Sequence, residues 1–136
     1  MSEISREQRA VDALSAYVDL LLDDRSVDEM NASENKRRAF FAFVFGGIGG
    51  LAIKDDLTPQ EAQAVAIRLY GETLRMAPGD CMRMVQLGID AAAGDSIWSE
   101  ASSEGLEEFF AWQDNPDTFS ASRLRAVLDR VPAENS

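Results

Sequence analysis

The chain has 136 residues, a length one hydrophobic core can organise, and its 46% hydrophobic and 27% charged residues exclude a disordered, collagen-like or membrane protein. Its 24 acidic residues against 13 basic ones leave a net charge of -11, which argues against a nucleic-acid partner because phosphate binding requires surplus Lys and Arg. The absence of histidine excludes Ser-His-Asp and Cys-His catalysis, histidine-ligated zinc and an imidazole pH switch, and the single Cys81 excludes an internal disulfide and suits a reducing compartment.

Glu3, Arg6, Glu7, Arg9, Asp12 and Asp19 leave no apolar run for a secretory leader, so a cytoplasmic protein is expected. Ser5, with Gln8 as reciprocal partner, opens a first helix between Ile4 and Asp24, where Val11, Leu14, Val18, Leu21 and Leu22 recur at helical spacing. Asp23 to Asn35 is polar, and Ser33 then offers an N-cap for a second helix carrying Phe40, Phe41, Val44, Ile48, Leu51 and Ala52. Ala39 to Ile53 is free of charge but spans 15 residues, short of the roughly 18 to 20 that cross a bilayer. Bracketed by Lys36-Arg37-Arg38 and Lys54-Asp55-Asp56, it reads as a buried central helix. Gly46, Gly47, Gly49 and Gly50 lie within it, each costing about 1 kcal/mol relative to alanine. Either another helix crosses closely over Gly46 and Gly50, or the glycines break the helix in two.

Thr58-Pro59-Gln60-Glu61 is a capping box with proline at the first helical position, and it opens a third helix whose Ala62, Val65, Ala66, Leu69 and Tyr70 stripe continues to about Arg75. Ala77-Pro78-Gly79-Asp80 interrupts it. A fourth helix turns Met82, Val85, Ile89 and Ala92 inward and stops at Gly94, with Cys81 in its first turn, where a mildly lowered thiol pKa competes with simple filling of space. A fifth helical region holds Ile97, Trp98, Leu106, Phe109, Phe110 and Trp112, with a fresh start available at Ser102-Ser103, and ends before Asn115-Pro116. Phe109 and Phe110 are expected in the core. The last helix, Ser120 to about Val131, carries Leu124, Val127, Leu128 and Val131 and is ended by Pro132.

The expected fold is therefore all-α, one domain over residues 1–136, built as a bundle of five to seven helices around a central Phe/Gly-rich helix. Residues 1–3 and 132–136 are expected to fray. Leu14, Val18, Phe41, Val44, Ile48, Val65, Leu69, Val85, Ile89, Phe109 and Leu124 are the expected core.

Between Arg83 and Arg123 no basic residue occurs, while Asp90, Asp95, Glu100, Glu104, Glu107, Glu108, Asp114 and Asp117 supply eight negative charges, too many to be neutralised locally. Such a run serves either as a solvated face or as an electrostatic docking surface, and the interleaved Trp98 and Trp112, core or interface, favour the second. The partner-binding candidates are thus Asp90, Asp95, Trp98, Glu100, Glu104, Glu107, Glu108, Trp112 and Asp114. The pairs Asp23-Asp24, Asp55-Asp56 and Glu107-Glu108 are adjacent in sequence and do not share a helical face, so no catalytic residue is assigned. No calcium-loop pattern occurs, and the glycine run lacks the following Lys-Ser or Lys-Thr of a phosphate cradle, so no metal or cofactor is expected.

The stretch from Ala39 to Asp114 resembles the small helical immunity proteins of bacterial polymorphic-toxin and type VI secretion systems. The resemblance rests on Phe40, Phe41, Phe43 and Phe45 leading into Gly46, the Leu57-Thr58-Pro59 to Glu61 opening, the Gly94-Asp95 turn, and Gly105-Leu106 with Trp112. It implies a cytoplasmic antidote, without catalytic residues, that blocks the active site of one toxin domain; a basic cleft on that toxin would match the acidic surplus. The second reading is an acidic adaptor or nucleic-acid mimic that fills a basic groove on a partner protein.

Overall fold

The computed structural model describes residues 6–21, 33–94, 98–115 and 122–131, which form helices and connecting turns without a strand. Among the described residues six α-helices follow one another: α1 (Arg6–Leu21), α2 (Glu34–Asp55), α3 (Pro59–Arg68), α4 (Pro78–Ala92), α5 (Ser99–Asp114) and α6 (Ser122–Asp129). The all-α bundle around a Phe/Gly-rich helix is what the sequence predicts. The Ser33 hydroxyl caps α2 by accepting from the Lys36 amide at 3.2 Å. The predicted capping box at Thr58 is complete, with Thr58 Oγ1 accepting from the Glu61 amide at 3.1 Å and Glu61 Oε1 from the Thr58 amide at 3.0 Å.

α2 is the axis of the molecule. It touches all five other helices and buries every residue from Ala39 to Ile48, because its apolar residues leave no polar face for water. Its 22 residues run unbroken through the glycines, so the close-crossing alternative is the correct one. A methyl added at Gly46 would overlap the Ser102 carbonyl oxygen, and one added at Gly105 would overlap the Phe43 carbonyl oxygen. α2 and α5 thus meet backbone to backbone through a glycine on each side. Gly50 also lies on this seam, beneath the Phe109 and Leu106 side chains.

Around this axis, Tyr17, Phe40, Phe43, Tyr70 and Phe109 are wholly enclosed. Phe109 meets Tyr17 edge-on at 5.4 Å, and Tyr70 meets Phe41 edge-on at 5.1 Å. Ten of the eleven expected core residues are buried, and Ile89 is half-buried. Three local expectations change. On α4, Met82 is 56% exposed and Ala92 is exposed too, because Cys81, Met84, Val85, Gly88 and Ala91 form the buried face instead. The third helix does not continue as one α-helix to Arg75: it widens into a π-helical turn over Leu69–Thr73, closed by the Leu74 amide donating to the Leu69 carbonyl at 3.2 Å. α5 runs without a break through Ser102-Ser103, since Ser102 is buried against Gly46 and its amide continues the ladder to the Trp98 carbonyl.

Candidate partner-binding surface

The acidic run is carried chiefly by α5, and α6 lies across it. Arg123, near the start of α6, reaches three carboxylates of α5: Nε donates to Glu108 Oε2 at 3.0 Å, and Nη1 donates to Glu104 at 3.0 Å and to Glu107 at 2.9 Å. Arg130, at the other end of α6, pairs with Glu100. Four of the eight acids therefore face two arginines, which offset two of those four charges and leave the run with a negative excess. Arg123, which ends the run in sequence, and Arg130 beyond it fold back over the acids.

Glu107 and Glu108 also do what adjacent helical residues were not expected to do. Both reach one guanidinium, because Arg123 arrives from outside the helix at the boundary between their two faces and its fork offers several donors. Glu108 is buried. Burial raises its carboxyl above the ordinary value, with Arg123 pulling the other way and Glu104 adding to the rise.

The remaining candidates are dispersed. Asp90 is exposed on α4 and accepts from Gln86 at 3.0 Å. Asp114 is exposed at the end of α5. Trp98 is half-buried against the core and lines a recess of about 70 Å³ with Val127 and Arg130. Trp112 is half-buried too, its ring 5.4 Å from Tyr17 and 5.9 Å from Phe109. Asp95, Asp117 and Ile97 lie outside the described residues. Phe110, expected in the core, is 36% exposed, because only one of two neighbouring α5 residues can face α2 and Phe109 takes that place.

A second feature was not singled out from the sequence. Phe45, Gly49 and Ile53 of α2, Ala91 and Ala92 of α4, and Ser99, Ser103 and Leu106 of α5 bound a cleft of about 310 Å³. Its signal in the sequence is Ile53, which continues the apolar stripe beyond the buried part of α2.

Among the described residues no three acidic or cysteine side chains gather as metal ligands. The Cys81 thiol is pushed up by burial and by Asp80, the reverse of the lowered value weighed from its place in the first turn of α4. The glycine run lies inside a helix rather than in a phosphate-binding loop.

The model of a protein family described as immunity protein 48 matches residues 8–131. The chain belongs to that family. It is thus one of the immunity proteins of polymorphic toxin systems, as the resemblance over Ala39 to Asp114 implied, and the match extends over α1 and α6 as well. Comparison with curated proteins and with solved structures gave no match. Among the described residues no helix of this immunity protein is long and apolar enough to cross a membrane. Membership in an immunity family points to recognition of a toxin rather than to catalysis.

Proposed function

We propose that this immunity protein binds one cognate toxin domain in the cytoplasm of the cell that makes it and covers the toxin's active site. The family match over residues 8–131 carries the reading. The net charge of -11 adds to it, because a toxin acting on nucleic acids or nucleotides presents a cationic cleft, and opposite charge steers two such surfaces together. The resemblance of the sequence suggests delivery of the toxin by type VI secretion. Asp90 and Asp114 are the exposed acids to test first, with Trp98 and Trp112 as neighbouring aromatic surface. The adaptor or nucleic-acid-mimic reading is disfavoured. A mimic needs free carboxylates set out like phosphates, and Glu100, Glu104, Glu107 and Glu108 are committed to arginines.

Co-expression with the product of the adjacent gene tests the proposal. The toxin should kill cells that lack this protein and spare those that contain it, and the two should co-purify. Raising salt from 10 mM to 150 mM shortens the Debye length from about 30 Å to about 8 Å and should slow association roughly tenfold. Asp90→Lys with Asp114→Lys should lower the on-rate and leave the melting temperature unchanged. A harmless neighbour that does not bind would sink the antidote reading.

A further inference from the structure

We infer that the cleft between α2, α4 and α5 seats an apolar side chain of the toxin, carried on a basic segment. This rests on the antidote reading and adds the place and chemistry of the contact. Gly46, Gly47, Gly50 and Gly88 each have a neighbour that a methyl would press upon, whereas Gly49, in the interior of the same α2, faces nothing within 4 Å. The isolated chain gives no packing reason for a glycine there. One turn further on, Ile53 is 70% exposed, the most exposed large hydrophobic side chain among the described residues. Leu106 lines the opposite wall, and Phe110 lies one turn beyond it on α5. The cleft between these walls, about 310 Å³, has room for one aromatic or branched aliphatic side chain, and Ser99 and Ser103 supply polar groups beside it. An apolar anchor in a preformed recess with a polar rim is the arrangement that carries most of the energy in protein interfaces.

Charge selects the occupant. Asp55 and Asp56 follow Ile53 at the end of α2, Asp90 precedes Ala91 in the wall made by α4, and all three are exposed. The neighbouring Lys54 donates to Gln113 of α5 and keeps its charge, so three acids stand against one cation and this rim stays acidic. A second copy of this chain would bring the same acids and the same net charge of -11 against them, a repulsive arrangement. A toxin segment with Lys or Arg beside its apolar residue meets opposite charge instead.

Isothermal titration of the whole protein with a catalytically inactivated toxin domain from the adjacent gene tests the inference. Gly49→Leu fills the floor of the cleft and Ile53→Asp places a charge on its wall. Each should weaken binding about 30-fold or more. Circular dichroism melts should show both variants folded, because neither side chain enters the core. Gly49→Ala is the milder probe: it should melt above the wild type while weakening binding less than leucine does. Wild-type affinity in both Gly49→Leu and Ile53→Asp would overturn the cleft and leave the antidote reading standing. A toxin that does not bind the wild type overturns both. Self-association of the wild type that the same substitutions abolish in sedimentation would overturn the toxin as occupant in favour of a second copy.

Discussion

Within α2 a single methyl group has opposite consequences three residues apart. At Gly46 it would occupy the position of the Ser102 carbonyl oxygen, a backbone atom that no rotamer change can move aside. Gly46→Ala and Gly105→Ala should therefore each cost roughly 3 kcal/mol, at the upper end of ordinary overpacking. At Gly49 the methyl enters open space, and the helix-propensity difference alone acts, so Gly49→Ala should stabilise the chain by about 0.5 to 1 kcal/mol. Urea unfolding of the three variants checks the contrast; similar losses in all three would mean that α2 and α5 do not meet through glycine. The glycines of α2 are visible in the sequence as a run, and so was the close crossing near Gly46. Gly105 and Gly88 were not, since an isolated glycine in a helix carries no mark of the partner that approaches it.

α6 is only eight residues long, too short to hold a helical conformation alone, and is held by what it touches. Leu124 and Leu128 are wholly buried and Val127 nearly so, while Arg123 grips α5 from the side. Arg123→Met should cost about 2 kcal/mol at pH 7, between the roughly 0 to 1 of an exposed pair and the 3 to 5 of a fully buried one, because the Glu108 carboxylate is left buried without a cation. The pH dependence has a definite sign. Burial raises the folded-state pKa of Glu108 above its unfolded value, so its stabilising contribution is complete below the unfolded pKa near 4.5 and is lost as pH rises through the folded one. Removing Arg123 raises that folded pKa further, and the cost of Arg123→Met should therefore grow from pH 4 to pH 7. A cost independent of pH in urea titrations would show that Glu108 does not depend on the clamp. Reversing Glu104, Glu107 and Glu108 would for the same reason disturb the fold as well as the surface. The helix itself was legible from the spacing of Leu124, Val127 and Leu128, but the clamp was not. Charge counted along the chain stops at Arg123, whereas in space Arg123 lies over the acids that precede it.

Across the whole molecule, legibility follows the range of the interaction. Caps and apolar stripes are local, and the positions of the helices followed from them. The π-helical turn, the orientation of Phe110 and the pairing of α5 acids with α6 arginines depend on which helix lies opposite, and no local pattern encodes that. The cleft is harder still to read, being defined by what three helices leave empty. The central place of α2 also makes the molecule its own recorder of occupancy. Amide protons between Phe40 and Gly50 sit in a helix flanked by five others, so they should exchange with solvent only when the entire fold opens. Their exchange then reports global stability, whereas amides at the helix ends report fraying. A toxin that binds only the folded chain should slow these central amides by the factor 1 + [toxin]/Kd, wherever on the surface it docks. Hydrogen exchange at these buried central amides would thus measure the affinity of any partner that binds only the folded chain, including one seated at the exposed end of α2.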